Sequence, residues 1–465
     1  MDRMNVLTDV HDPGQVNKVT ALPHSNQPHI FGILAKTVFD SPIINFILPA
    51  QIRDQWRNDV VFIGDHYIRL REILEDGHFR DVASKSNFGA RICAARVIGE
   101  RQTSTECSEE AVNVKKEEEA TPVSAAGDRF PPQVLVLTLQ SSELVFLVAK
   151  RNCNGEMNFT TVSTPLPRPK LLSEGPGKHI GIDPRSRAIA VTASSGILVL
   201  YNIRSRNEPN TTLQTLICNT ITVNAKMVIL KMDFVYPSKE DDDRVYLVII
   251  GSKGGDLLHL NVYSWDSSVP LQPGVVDVKV VRLGKGKFVT ISTSCSFSDV
   301  CLEHGMPTML VPLMQRYAGS FMLVCERGFS IYRDVHVMAP QRTWFRTHVT
   351  DRNDGNEAPR FPGSSCRSPR WVNWARPLRI STWQEDNIYF GREDGLVRYV
   401  SMGAQPGTLA VYKEGSAIRL VGNIDTAFAC LDIFRDGLLG SGTDALLIGG
   451  SLSDGGFYEV PSLHP

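Results

Sequence analysis

The sequence predicts an all-β protein: a single seven-bladed β-propeller with four-stranded blades and long inter-blade loops. One hairpin pattern, an apolar strand, a turn and a second apolar strand, usually with a Gly in the turn and a Tyr or Phe in the second strand, occurs seven times. The turns lie about 60 residues apart, too far for single hairpins and suitable for four strands with their loops. No stretch shows a convincing helical period.

The clearest hairpin lies within residues 181–203. Two apolar runs, 188–193 and 197–203, are joined by Ser194, Ser195 and Gly196, which is typical of a tight β-hairpin. The same pattern predicts hairpins at residues 59–73, 134–150, 245–263, 320–335, 386–402 and 444–460.

Alternation in the hairpin at 59–73 indicates strands with one buried face. Ile68 and Leu70 alternate with Tyr67, Arg69 and Arg71, which is the period of a half-buried strand. Closing seven such units into a ring protects the sheet edges, so we expect the propeller to span residues 29–460.

Three segments depart from the repeat. Residues 1–28 are polar and contain three prolines, which predicts an N-terminal tail before a first strand near residues 30–36; such a tail can still add one strand to the last repeat. Residues 100–132 have few large apolar side chains and mixed charge, which predicts a disordered insertion between the first two hairpins. Residues 461–465 form a short C-terminal tail.

Composition restricts the functional classes. The formal charge of −1 excludes a protein coated in positive charge, so nucleic-acid contact would be local or indirect. Nine cysteines without a C-x-x-C pair argue against a disulfide framework or a zinc ribbon and favour a reducing compartment. No apolar run suits a membrane span and the N-terminus has no signal-peptide pattern. These observations leave the nucleus or the cytoplasm as the expected location.

A loop at residues 341–379 has an unusual composition. It carries eight arginines against three carboxylates, together with Trp344, Phe345, Phe361, Trp371 and Trp374. Arginine with aromatic residues is typical of protein hot spots and of stacked nucleic-acid bases, although the rings can also pack on the propeller rim. The predicted partner-binding residues are Arg342, Trp344, Arg346, Arg367, Arg370, Trp371, Trp374 and Arg376.

Familiar catalytic motifs do not occur. The sequence has no phosphate-binding G-x-x-x-x-G-K-[ST] loop, no G-x-S-x-G elbow and no H-E-x-x-H pair. Asp183, a conceivable general base, is followed by Pro184 and indicates a turn, and His259 is expected on the outward face of its strand. We predict no enzyme, no cofactor and no metal; a propeller enzyme with a site at the channel mouth is the alternative from another class.

Three segments resemble the first propeller of a known family. Residues 182–189 are similar to its "IDP-x-x-R-x-I" segment, residues 310–334 to its "P-x-x-x-G-x-x-x-x-G-x-x-x-I-x-Y" blade, and residues 445–460 to its closing hairpin, in the same order. The family includes the large subunits of damage-specific DNA-binding protein and of cleavage and polyadenylation specificity factor. It also includes the propeller subunit of splicing factor 3b and the fungal methyl methanesulfonate-sensitivity protein.

The resemblance implies a non-catalytic scaffold whose partners are subunits of a nuclear complex, with DNA-repair and ubiquitin-ligase adaptors favoured. The alternative within this class is a subunit of a splicing or cleavage/polyadenylation complex with nucleic-acid association. Family members continue into two further propellers and a helical domain, and the second propeller of the repair adaptor holds the cullin. We therefore expect no cullin contact here, in either a truncated family member or a lone propeller that retains a narrower binding role.

Overall fold

The structure is a computed structural model of the 465-residue chain. It describes residues 18–20, 32–40, 44–53, 59–74, 79–86, 88–100, 130–167, 177–194, 196–205, 211–237, 243–253, 258–283, 307–314, 318–325, 328–332, 335, 349–350, 371–376, 386–392, 396–403, 411–419, 427–431, 444–449 and 454–460.

All regular elements in these residues are β-strands. In chain order they are β1 (Lys18–Thr20), β2 (Gly32–Asp40), β3 (Phe46–Pro49), β4 (Asp59–Ile63), β5 (Tyr67–Ile73), β6 (Phe79–Ser86), β7 (Ile92–Ile98), β8 (Val134–Leu139), β9 (Glu143–Arg151), β10 (Met157–Pro165), β11 (Ile180–Ile182), β12 (Ala188–Ser194), β13 (Ile197–Ile203), β14 (Ile217–Asn224), β15 (Val228–Val235), β16 (Arg244–Ser252), β17 (Leu258–Asp266), β18 (Asp277–Leu283), β19 (Pro307–Pro312), β20 (Phe321–Cys325), β21 (Gly328–Tyr332), β22 (Val349–Thr350), β23 (Trp371–Ala375), β24 (Asp386–Arg392), β25 (Leu396–Gly403), β26 (Val411–Arg419), β27 (Ala427–Leu431), β28 (Asp444–Gly449) and β29 (Asp454–Val460).

The described strands form seven antiparallel sheets. Six sheets contain four strands in consecutive order: β3–β6, β7–β10, β11–β14, β15–β18, β19–β22 and β23–β26, named the first to sixth sheets. The middle two strands of each are one of the predicted hairpins, so these hairpin predictions are confirmed. The all-β class and the four-stranded antiparallel units agree with the sequence prediction.

The seventh sheet joins the two ends of the described chain. Strands β27, β28 and β29 are followed in the sheet by β2 and then β1. The hairpin of β28 and β29 confirms the last predicted hairpin. Ala35 of β2 pairs with Tyr458 of β29, so the strand expected near residues 30–36 completes the last repeat. β1 lies within the predicted N-terminal tail and gives this sheet a fifth strand.

Hydrophobic clusters lie between consecutive sheets. In β8, Val134 and Val136 pack into a cluster shared with the third sheet, whereas Leu135 and Leu137 pack into a cluster shared with the first. Further clusters lie between the third and fourth, fourth and fifth, and fifth and sixth sheets. Alternate side chains of one strand thus enter different clusters. The middle two strands of a sheet are mainly apolar because both of their faces are covered.

The burial of His259 on β17 is a consequence of this packing of sheets against each other. Its residue is 5% exposed, so the expected outward position is wrong. Its neighbours on the strand, Leu260 and Asn261, are buried too, because the fourth sheet packs against other sheets on both faces.

Neighbouring sheets are joined by contacts between their first strands. The first strand of a sheet is the one that precedes its predicted hairpin in the chain, such as β3 in the first sheet and β27 in the seventh. β3 contacts β7, β7 contacts β11, β11 contacts β15, β15 contacts β19, β19 contacts β23, β23 contacts β27, and β27 contacts β3. Residues carried on the first strands therefore approach residues of the adjacent sheets.

The segment expected to be a disordered insertion lies between β7 and β8, inside the second sheet. Its residues 101–129 are outside the described residues. On either side of it, Gln133 donates from its side-chain amide to the Gly99 carbonyl at 3.0 Å and accepts from the Gln51 backbone N–H at 2.7 Å. These bonds hold Gly99 and Gln133, which lie on the two sides of the segment, beside the first sheet.

Gly196→Ala should destabilise the hairpin of β12 and β13 more than an equivalent change in an open turn. Gly196 has φ +72°, and an added Cβ would lie 2.7 Å from the Met227 carbonyl oxygen. The left-handed backbone costs about 1–2 kcal/mol for a residue with a Cβ, and displacing the Met227 backbone should add about 1–3 kcal/mol. Urea unfolding at neutral pH measures the loss.

Gly155→Ala is the control for this prediction. Gly155 has φ +81°, and an added Cβ would have no neighbour within 4 Å. This variant should therefore lose only the stability that a left-handed backbone costs a residue with a Cβ. Equal losses for the two variants would show that the Met227 contact does not constrain the turn.

Candidate functional site

The structure describes three of the eight predicted partner-binding residues. Trp371 and Trp374 lie on β23, and Arg376 follows that strand directly. The other five lie outside the described residues; they are Arg342, Trp344, Arg346, Arg367 and Arg370. The partner-binding role of the set remains a prediction, but the three described side chains have structural contacts.

Trp371 belongs to the hydrophobic cluster between the fifth and sixth sheets. Its residue is 6% exposed, and its ring meets Phe390 edge-on with centroids 6.5 Å apart. The Arg392 guanidinium lies 5.4 Å from the centre of the Trp371 ring. Trp374 is half-buried and packs at the margin of the same cluster. Trp371 therefore stabilises the sheet packing, and Trp374 is the more accessible ring.

Arg376 forms a buried, two-pronged ion pair with Asp386. Its Nε donates to Asp386 Oδ1 at 2.7 Å and its Nη2 to Oδ2 at 3.0 Å, and the Asp386 side chain is 1% exposed. Nη2 also donates to the Pro312 carbonyl, and the Met314 N–H donates to Asp386 Oδ2 at 2.8 Å. The guanidinium thus fixes the sixth sheet to the end of β19, and its Nε and Nη2 donate within the fold.

Asp183 has a comparable structural role. Its carboxylate, with a side chain that is 0% exposed, accepts from Arg187 Nε at 2.8 Å and Nη2 at 3.1 Å and from the Arg185 N–H at 3.2 Å. Ser186, at φ +60°, accepts from the Gly99 N–H, and Arg187 Nη2 donates to the Arg244 carbonyl. The predicted turn is confirmed, and it ties the third sheet to the second and fourth; a carboxylate enclosed in this way is not available as a general base.

A second group of charged and titratable residues, which the sequence analysis did not identify, lies on or just before three of the first strands. We call it the inner-strand cluster; it consists of Arg96 on β7, Lys178 and His179 just before β11, and Lys231 and Asp233 on β15.

Adjacent first strands bring this cluster together. β11 contacts both β7 and β15. Gly181 on β11 allows the closest approach, because a Cβ there would lie 3.6 Å from the Asp233 Cα and 3.2 Å from the Phe234 ring. His179 is held by its backbone, whose N–H donates to Thr192 Oγ1 at 3.1 Å. A register shift between Ile229 and Lys231 sets the direction of the β15 side chains.

The imidazole of His179 is held neutral. Burial lowers its pKa to about 4, and the positive charges of Lys231, Arg96 and Lys178 act in the same direction. At neutral pH this ring therefore combines one N–H donor with one acceptor nitrogen.

Asp233 shows the opposite perturbation. Burial raises the pKa of its carboxyl to about 6, and the charges of Arg96 and Arg376 together with a hydrogen bond from the Phe234 N–H limit that rise. Tyr236, which follows β15, also has a pKa raised by burial. Groups with perturbed pKa values cluster at functional sites more often than elsewhere, which makes the inner-strand cluster a candidate site.

Opposite pH dependences of stability follow from the two shifts. Between about pH 4 and 6.5 the unfolded chain protonates its histidine while folded His179 stays neutral, so this group makes stability rise with pH. Between about pH 4 and 6 folded Asp233 keeps a proton that the unfolded chain releases, so this group makes stability fall with pH. Each contribution is at most about 3 kcal/mol.

Asp233→Asn should therefore gain stability relative to the unmodified protein as the pH rises from 4 to 6, because the cost of the buried carboxylate is absent. His179→Gln should gain stability relative to the same protein as the pH falls from 6.5 to 4. Urea unfolding of the three proteins across this pH range measures both differences. Variant-minus-parent differences that do not change with pH would contradict the two pKa shifts.

The described part of the chain provides neither a metal cluster nor a membrane helix. Among the described residues, no three His, Cys, Asp or Glu side chains lie together as a metal site. No helix in the described ranges is long and apolar enough to cross a membrane.

Comparisons with known proteins agree with the architecture. No curated protein matches the sequence in such a comparison. A family profile described as the RSE1/DDB1/CPSF1 first beta-propeller matches residues 43–464, nearly the whole chain. The match contains the first six sheets and the hairpin of β28 and β29, and it confirms the resemblance carried by residues 182–189, 310–334 and 445–460. The chain belongs to the RSE1/DDB1/CPSF1 first β-propeller family.

Proposed function

We propose that the protein is a non-catalytic interaction scaffold in a nuclear complex. The family match over residues 43–464 carries this proposal, since propellers of this family occur in DNA-repair, splicing and polyadenylation scaffolds. Extended rims and faces on a rigid body suit such a role, because a scaffold must hold several partners in fixed relative positions. A DNA-repair or ubiquitin-ligase adaptor is the favoured assignment, and a splicing or polyadenylation subunit with nucleic-acid association is the alternative.

A closed ring of seven blades is part of this proposal. The seven described sheets, and the contact of β27 with β3 after the series of contacts that begins at β3, support closure. Pairing of β2 with β29 supports it further, because a strand from one end of the described chain completes the sheet at the other end. Closure would remove exposed edges from the innermost strands and make the sheets one rigid unit.

The loop at 341–379 is the proposed partner contact. Arg342, Trp344, Arg346, Arg367 and Arg370 supply the arginine and aromatic character that interface hot spots use. Trp371 and Arg376 anchor the base of the loop through the cluster and ion pair described above. Trp374 is half-buried beside Arg376, whose guanidinium carbon lies 5.1 Å from its ring centre.

The enzyme alternative has weaker support. His179 and Asp233 have the shifted pKa values of an acid–base pair, but Asp233 accepts its hydrogen bond from the Phe234 N–H and not from His179. A general base must reach the proton that it removes, and a nucleophile or activated water must lie beside it. The inner-strand cluster is mainly cationic, which favours binding over proton transfer.

Affinity purification with a loop variant tests the scaffold function. The tagged chain is expressed in cells, purified separately from nuclear and cytoplasmic fractions, and cross-linked before mass spectrometry. We expect stoichiometric nuclear partners whose cross-links fall on the loop, and we expect the combined Arg342→Ala, Trp344→Ala and Arg346→Ala variant to lose them. Arg91→Ala with Arg151→Ala, which removes exposed arginines elsewhere, should retain them.

The identity of the partners decides between the assignments. Repair and ubiquitin-ligase subunits would support the favoured one, and splicing or polyadenylation factors the alternative. Recovery of the chain without stoichiometric partners, or only from the cytoplasm, would contradict a nuclear scaffold.

A further inference from the structure

We propose that the outer edge of the third sheet is a self-association surface, on which β14 pairs antiparallel with β14 of a second copy of this chain. β14 is the last strand of that sheet, and among the described strands it pairs only with β13. Its other side therefore presents backbone donors and acceptors to solvent. This inference concerns a different part of the molecule from the partner loop and does not depend on the scaffold function.

β14 lacks the charges and prolines that commonly protect a sheet edge from pairing. Its sequence, ICNTITVN, contains no charged residue, no Pro and no Gly, and it is rich in β-branched side chains. A register shift between Asn202 and Ile203 of β13 places a bulge at Cys218, and residues 219–224 pair regularly. These six consecutive residues are suited to accept a further strand.

The outer strands of the other sheets have such protection. β6, β18 and β26 contain charged residues, and β22 and β1 have only two and three residues. β10 is uncharged, but it ends at Pro165 and contacts β6 of the first sheet. Among the described outer strands, β14 is therefore the one best suited to pair with a strand from another molecule.

Backbone hydrogen bonds show which residues of β14 point outward. The Ala225 N–H donates to the Gly196 carbonyl at 2.7 Å, so the regular pairing with β13 continues to this turn and position 225 points inward. Inward and outward positions alternate along an antiparallel pair. The backbone groups of Thr220, Thr222 and Asn224 therefore point away from β13, and these same three residues are exposed.

Symmetry selects a register for the self-pairing. Opposed residues of an antiparallel pair place their side chains on the same face, so exposed residues of one copy must meet exposed residues of the other. A two-fold axis at Thr222 satisfies this condition, because Thr222 then faces its own symmetry mate and Thr220 faces Asn224 of the second copy. The three outward-pointing residues can then exchange backbone hydrogen bonds, and the bulge at Cys218 stays outside the pairing.

The charge of the strand favours a second copy as the occupant. Like charges that face each other destabilise a strand pair, and β14 has none to bring against its own copy. Cross-strand pairs of threonines, such as Thr222 with its symmetry mate, are favourable. One pair of short strands buries less surface than a standard interface, so we expect a weak and reversible dimer.

Sedimentation equilibrium of the full chain at about 0.15 M ionic strength tests the proposal. We expect the average mass of the unmodified protein to rise with concentration toward that of a dimer. Thr222→Lys and Thr222→Glu each place like charges at the axis, so each variant alone should associate about fivefold more weakly. An equimolar mixture of the two variants should recover the association, because opposite charges then face each other across the axis.

Thr160→Lys is the matched control, since Thr160 is an exposed threonine of β10, the other uncharged outer strand. This variant should associate as the parent does. The proposal would be overturned by a parent that stays monomeric at every concentration, by association that the mixture of Thr222 variants does not recover, or by equal weakening in Thr160→Lys. A monomeric parent that binds a synthetic peptide of residues 217–224 would also overturn it, in favour of a strand from a different protein as the occupant.

Discussion

Asp386→Asn should lower the free energy of unfolding by about 3–5 kcal/mol, because it leaves the guanidinium of Arg376 without its charged partner in a buried position. The Asp386 side chain is 1% exposed and that of Arg376 is 15% exposed, so water cannot replace the lost contacts well. The substitution keeps the shape of the side chain and one oxygen for the Met314 N–H. Urea unfolding at neutral pH, followed by tryptophan fluorescence and circular dichroism, measures the loss.

Asp277→Asn is the matched control. Asp277 pairs with Arg244 at 2.9 Å, but the two side chains are 62% and 42% exposed. Exposed pairs contribute about 0–1 kcal/mol, so this variant should unfold nearly as the parent does. If Asp386→Asn lost as little stability as Asp277→Asn, the ion pair of Arg376 would not stabilise the fold. The predicted role of Arg376 in partner binding would then regain support.

The hairpins were predictable because their information is local. In residues 188–203 two apolar runs and a Gly-containing turn specify strand, turn and strand without reference to any other part of the chain. The same holds for β8 and β9, which contain the uninterrupted apolar runs 134–137 and 144–149 because sheets cover both faces. Short-range pattern and burial on both sides point to the same structure in each repeat.

The first strands were harder to predict, and they carry the inner-strand cluster. β11 has three residues and β3 has four, too few for a reliable period. Arg96 lies in an otherwise apolar strand, and Lys231 and Asp233 alternate with apolar residues, so charged residues within these two strands are the signal that was available. Their proximity depends on contacts between β7, β11 and β15, which separate sheets supply.

The roles of Arg376 and Trp371 also depend on distant residues. Composition alone groups them with the other arginines and aromatics of residues 341–379. Asp386, Pro312 and the cluster between the fifth and sixth sheets, which determine what these two side chains do, lie on other strands. A local excess of arginine and tryptophan therefore cannot distinguish an interface from the anchored base of a loop.

Trp371→Ala should cost about 3–5 kcal/mol of stability, the range for removing a large buried ring from a core. The residue is 6% exposed, and its loss would leave a cavity beside Phe390 and remove the aromatic face under Arg392. Trp374→Ala, on the same strand, should cost clearly less because that ring is half-buried. Thermal and urea unfolding of both variants give the comparison.

Partner capture by the Trp374→Ala variant then separates binding from folding. A well-folded Trp374→Ala protein with weakened partner capture would support this ring as the accessible part of the loop base. If Trp371→Ala kept its stability and lost its partners, the ring would belong to an interface, as the sequence predicts, and its place in the core between the fifth and sixth sheets would be wrong. Stability and partner capture are measured on the same two proteins. A loss of partners caused by unfolding would therefore be recognised, because the variant would also have lost stability.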